Sequence, residues 1–167
     1  NDVSNKYENI TINKNVILTC KPWINSNNAN NSDNGGILII TANKLINNGS
    51  IDCSGNGFYN KHGYGFGKKD KRVTHLVAGG SYGTNGQQCD RFGIIGDIYG
   101  WKTLQVIYHG SGCHSNKSSY GVGGGGIIII YCMEFINNGT IHCDGKHGGS
   151  GGSILIIAKS YVNNMAI

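Results

Sequence analysis

At 167 residues the chain has room for one domain with a real core, and its net charge of +5 leans toward acidic partners without choosing one. Its 28 glycines and 22 asparagines favour turns and are poor in helix interiors, which excludes a largely helical domain. No run approaches the roughly eighteen consecutive apolar residues of a spanning helix, so no membrane span is expected.

Residues 7–24, YENITINKNVILTCKPWI, open the chain as a first repeat with alternating Ile10, Ile12, Val16 and Leu18, and an Asn-rich loop follows at 25–34. Residues 36–55, GILIITANKLINNGSIDCSG, then return ninety residues later as 126–145, GIIIIYCMEFINNGTIHCDG. A shorter copy follows at 153–164, SILIIAKSYVNN. Self-similarity of this kind marks a stacked repeat architecture. Each repeat predicts three short strands: an Ile block (37–40, 127–130, 154–157), a second at 44–46 or 134–136, and a third at 50–53 or 140–143. Asn-Asn-Gly supplies the bend between second and third, where left-handed residues cost little. The Ile blocks suit strands with both faces buried or closely flanked. An Asp at Ile128 or at Ile39 would therefore bury an unpaired charge if both face inward. Three strands per turn of about twenty residues fit an all-β, right-handed parallel β-helix, a solenoid in which like strands stack. Residues 1–167 form one domain, and 58–122 are a Gly-rich irregular insertion between its coils.

On the third strand, alternation sets Cys53 beside Ile51 and Cys143 beside Ile141, with Asp52 and His142 on the opposite face. Cys53 and Cys143 then line the core as stacked buried thiols or as a bridge. In the insertion, a Cys89–Cys113 disulfide would close a long loop with few apolar staples. Six cysteines and five sequons (Asn9, Asn30, Asn48, Asn116, Asn138) favour an oxidising, extracellular setting: secreted, cell surface or virion surface. The start at Asn1 without Met reads as a processed or artificial boundary, and the end after the third Asn-Asn leaves an edge to be covered by a loop, a partner or more chain.

The insertion carries AGGSYGTNG at 78–86, GDIYG at 96–100 and HGSG at 109–112, and is followed by GGGGIIII at 123–130, NGTI at 138–141 and GGSGGSI at 148–154. This order resembles the large Gly-rich β-helix repeat proteins of bacteria, protists and large DNA viruses, over residues 35–164. The resemblance implies a β-helix fold and a surface or secreted scaffold with no assigned reaction. The chain departs from that pattern in its shortness and in the cysteines at 53 and 143, where Ala or Ser is usual.

Motifs of chemistry are few. Gly121, Gly123 and Gly126 satisfy G-x-G-x-x-G, but an Ile strand follows where a dinucleotide fold needs a helix. No Walker A, HExxH or CxxC occurs. Cys113–His114 and His142–Cys143 are adjacent pairs whose side chains diverge on a strand; with His62, His109 and His147 scattered, no metal and no cofactor is expected. Asp90, Asp97 and Asp144 lie near basic or His neighbours, and Arg91 and Lys102 complete a conceivable β-elimination set for a calcium-bound uronate. The paired carboxylates of a glycoside hydrolase are missing. Lys61, Lys68, Lys69, Lys71 and Arg72 interleave with Tyr59, Tyr64 and Phe66, a spacing able to contact an anionic glycan.

The sequence therefore predicts a non-enzymatic structural module, acting by assembly with other subunits or with itself. The alternative is a polysaccharide-binding or polysaccharide-cleaving β-helix that uses Tyr64, Phe66, Lys68, Lys69, Lys71 and Arg72. Nucleic acid is not expected as a partner.

Overall fold

The computed structural model describes residues 7–24, 35–59, 62–66, 68–69, 79–86, 93–100, 105–113 and 123–164. In chain order the strands are β1 (Tyr7–Ile12), β2 (Ile17–Leu18), β3 (Ile37–Asn47), β4 (Ser50–Asp52), β5 (Lys68–Lys69), β6 (Gly93–Ile94), β7 (Ile127–Asn137), β8 (Thr140–His142) and β9 (Ser153–Asn163). The described chain is all-β, without a helix and hence without one long and apolar enough to cross a membrane. β1, β3, β7 and β9 form one sheet in that order, every pair parallel. β2, β4 and β8 form a second parallel sheet, while β5 and β6 pair antiparallel.

Registration follows the sequence repeat. Ile37 to Ile40 lie beside Ile127 to Ile130, Leu45 beside Phe135, and Asn47 beside Asn137 and then Asn163. The first two strands expected in each repeat are fused into one of eleven residues. The fusion carries a break in alternation. Ala42 and Leu45 are both buried although three positions apart, and the pairing skips Asn43–Met133 and Met133–Lys159. Two successive residues at that point, Asn43 and Lys44, lie off the core, and the ladder resumes in the same register at Lys44 and Glu134.

The core is a column of matched side chains: Ile12, Ile40, Leu45, Ile51, Ile128, Ile130, Phe135 and Ile141, with Cys53 and Cys143 among them. Phe135 stacks on Tyr161 with ring centroids 5.2 Å apart. The expectation that both faces of the Ile blocks are buried or closely flanked holds in β7, where Ile127 and Ile128 are buried and Ile129 is half-buried. It fails in β3, where Ile37 is exposed and Ile39 is 57 % exposed, because adjacent strand residues face opposite sides and that side of β3 does not meet the core.

The Asn-Asn turns form two amide ladders. The inner one is buried at Asn47 and Asn137 and reaches the surface at Asn163: Asn47 Nδ2 donates to Asn137 Oδ1 at 2.7 Å, and Asn137 Nδ2 to Asn163 Oδ1 at 2.8 Å. Asn47 also donates to the Thr140 carbonyl, and its Oδ1 accepts from the Gly49 backbone N–H, so its amide is satisfied on both sides. The outer ladder runs from Asn164 to Asn138 to Asn48, each amide donating to the next at 2.6 and 2.8 Å.

The described parts of the insertion are mostly irregular and attach by backbone hydrogen bonds. Gly57 N–H donates to the Gly124 carbonyl, Phe58 N–H to Gly110, Gly110 N–H to Gly125, and Gly80 N–H to Gly148. Glycine is required for such close backbone packing: a Cβ on Gly125 would stand 1.8 Å from the Cys143 carbonyl oxygen.

Asn137→Ala strips a buried acceptor from Asn47 and a donor from Asn163, and is expected to cost about 1–3 kcal/mol in denaturant unfolding, whereas Asn138→Ala on the exposed ladder costs under about 1 kcal/mol. Ile39→Asp stays folded, and Ile128→Asp does not. Equal losses at Asn137 and Asn138 would contradict the burial of the inner ladder.

Candidate functional site

Two constellations of chemically capable side chains stand out: an aromatic face on the insertion side and a column of thiols at the end of the second sheet. The aromatic face gathers segments far apart in sequence. Trp23, next after the only proline, lies edge-on to Phe58 at 5.1 Å and beside His62 at 5.2 Å. Phe58 continues to His109 and Tyr64; Tyr64 meets Tyr99 at 5.7 Å and Tyr108 at 5.5 Å; Tyr99 reaches Tyr82 at 4.9 Å.

Below the rings lies a web of hydroxyls. Tyr99 Oη donates to the His109 carbonyl at 2.6 Å, and Ser111 Oγ donates to Tyr99 Oη at 2.9 Å while accepting from the Gly65 N–H. Ser81 Oγ donates to the Gly96 carbonyl, and Tyr82 Oη is hydrogen-bonded to Ser153 Oγ, which fastens the insertion to the start of β9. Burial pushes the Tyr99 phenol up to about 12 and the His109 imidazole below its ordinary value. The network is therefore a neutral support. Above it Tyr64 stands 67 % exposed, its ring edge-on to Phe58 and Tyr108 and tilted against Tyr99, with much of its surface open. An apolar ring fixed in this way suits stacking against the C–H face of a sugar.

Of the expected glycan contacts, Tyr64 belongs to this face and Phe66 is half-buried nearby in sequence. Lys68 and Lys69 are placed by their backbones in β5, opposite Ile94 and Gly93. Lys71, Arg72 and Lys61 lie outside the described residues, as do Asp90, Arg91 and Lys102 of the conceivable elimination set. Asp97 and Asp144 are exposed. His142 Nδ1 is 3.4 Å from Asp144 Oδ2, and among the described residues no group of three metal-ligating side chains converges.

The thiol column contains a member that the sequence reading passed over. Ile17 pairs with Ser50 and Leu18 with Ile51, which carries Cys20 to the position of Cys53; Ile51 pairs with Ile141 and Asp52 with His142, which carries Cys53 to Cys143. The signal was present in the parallel texts ILTC, SIDC and TIHC, but the first lacks the Asn-Asn-Gly that marks the others. Cys53 and Cys143 are buried and Cys20 is half-buried. A hydrogen bond from Cys53 draws the Cys20 thiol down to about 7 and pushes Cys53 up; burial pushes Cys143 up to about 12. Cys20, Cys53, Cys132 and Cys143 are free thiols.

Of the disulfide pair expected in the insertion, Cys89 lies outside the described residues, and Cys113 is buried with its Sγ donating to the His147 carbonyl at 3.0 Å. Among the sequons, Asn9 is exposed, and Asn30 and Asn116 lie outside the described residues. Asn48 and Asn138 belong to the outer ladder, where the Asn138 nitrogen that would carry a glycan is the donor to Asn48.

Iodoacetamide near neutral pH is expected to label Cys20 well before Cys143, with peptide mass spectrometry as readout; the reverse order would contradict the half-buried, acidic Cys20.

Comparison of the chain with protein-family models, with curated proteins and with solved structures returns no match.

Proposed function

We propose that the chain is a right-handed parallel β-helix module with a mechanical role, displayed on a virion or cell surface and working by assembly. The observation that carries this reading is the continuity of the parallel stack through β1, β3, β7 and β9 in one register. β9 forms the last strand of its sheet, and Ile157, Tyr161 and Val162 on it are exposed. Each inner-ladder amide donates toward β9, so Asn163 presents its own Nδ2 onward. An in-register sheet whose last described strand carries exposed apolar side chains is a template for one more strand. The right hand follows from the general preference of parallel crossover connections. The resemblance of the Gly-rich text to surface repeat proteins points the same way.

A second reading, glycan binding, draws support from the exposed Tyr64 ring on its aromatic base. The basic run at Lys68, Lys69, Lys71 and Arg72 would add charge for an anionic polysaccharide.

Sedimentation velocity over a range of concentrations tests assembly. The first reading expects reversible self-association that disappears when Tyr161 and Val162 are both replaced by Lys. A monomer at every concentration contradicts self-assembly, and release of unsaturated uronides from a polyuronate contradicts a non-enzymatic role. Glycan binding without turnover, lost in Tyr64→Ala, would select the second reading.

A further inference from the structure

We propose that Cys20 and Cys53 form a reversible disulfide that clasps the first repeat to the second. Continued past the ends of β2 and β4, the parallel register sets the two residues at matching positions, two beyond the Leu18–Ile51 pair. Neighbouring strands lie about 4.8 Å apart, inside the Cα separation of about 4.4–6.8 Å that disulfides accept. The backbone around the pair is held at several points. Trp23 N–H donates to the Asn56 carbonyl at 2.9 Å, and Asn56 N–H donates to the Cys53 carbonyl at 3.2 Å. Asn56 Nδ2 in turn donates to Thr19 Oγ1 and to the Cys20 carbonyl. One asparagine thus ties both cysteine segments together.

The third thiol of the column is turned elsewhere. Cys143 Sγ donates to the Ser153 carbonyl at 3.6 Å, toward the next strand and away from Cys20, and it is buried. Cys53 is instead matched in register to Cys20, the half-buried member that solvent reaches. The acidity of Cys20 supports the same order of events, since thiolate character governs attack. Asp52 opposes that acidity from the neighbouring strand but is outweighed by the hydrogen bonds from Cys53 and Asn56.

The chemistry is thiol–disulfide exchange with a low-molecular-weight disulfide. The Cys20 thiolate attacks one reagent sulfur, the reagent S–S bond breaks, and the first thiolate leaves and takes up a proton. Cys53 then gives its proton to solvent while its sulfur attacks Cys20 Sγ, and the second reagent thiolate leaves and is protonated. Two protein thiols are oxidised by two electrons, and one small disulfide is reduced to two thiols.

The clasp falls where the stack is weakest. β2 pairs with β4 through two residues, and β1 is exposed along most of its length. The crosslink would close the 20–53 segment and restrain the unfolded chain, so the first repeat frays less.

The test equilibrates the folded full-length chain with oxidised and reduced glutathione, quenches with acid, alkylates, digests and maps the linked peptides. A Cys20–Cys53 link is expected to dominate in the wild type. Cys53→Ser should leave Cys20 as a mixed disulfide with glutathione, and Cys20→Ser should leave Cys53 reduced. Limited proteolysis within residues 7–18 should slow severalfold in the oxidised form and recover on reduction. A Cys53–Cys143 link, a dominant link from Cys20 to any other cysteine, or persistent free thiols at both positions would overturn the proposal. So would a wild type that stops at glutathione on Cys20.

Discussion

A buried asparagine is admitted to a core only when both ends of its amide are bonded, and here the bonding partner is the same residue one repeat along. Asn47 and Asn137 meet that condition, with the exposed Asn163 as the last acceptor, only if β3, β7 and β9 are parallel and in register. A slip of one residue would set Asn47 opposite Ile136 or opposite the outward-facing Asn138, stranding its buried donors either way, while turning every core residue outward. The ladder therefore fixes the register, and the register sets isoleucine against isoleucine and Phe135 against Tyr161.

Like-on-like stacking suits amides, apolar groups and thiols but not charges. The repeat departs from identity where identity would repel. Lys44 lies opposite Glu134 and forms an ion pair at 3.0 Å, and Asp52 lies opposite His142. The Lys44–Glu134 pair is well exposed, so its weight lies in register more than in stability. The glycine-rich text solves a different problem, letting the insertion dock backbone against backbone on the start of β7 and on the 145–152 turn. That docking brings Trp23, Phe58 and the tyrosines into one face, so the same architecture that gives rigidity also builds the surface best suited to a ligand.

The stacking partners were legible because the residues that set register are repeated as text: INNG at 46–49 and at 136–139, and the cysteine four positions after each glycine. The irregularity at Asn43 was not, since alternation read in either half of β3 looks regular and only the buried pair Ala42 and Leu45 exposes the break. Ile39 was misplaced for a related reason: an unbroken Ile block carries no mark of which face is inward. Cys20 was missed because the first repeat keeps the strand pattern but not the Asn-Asn-Gly. The aromatic face was invisible because its members, from Trp23 to Tyr108, converge through loops with no period to read.

The most direct test of the stack is nuclear magnetic resonance of the asparagine side-chain amides in uniformly labelled protein. Slow exchange of the Asn47 and Asn137 Nδ2 protons is predicted, with nuclear Overhauser contacts linking Asn47 to Asn137 and Asn137 to Asn163. Fast exchange at both, with no contact between residues ninety apart in sequence, would contradict the in-register parallel stack on which the fold and the thiol column both rest.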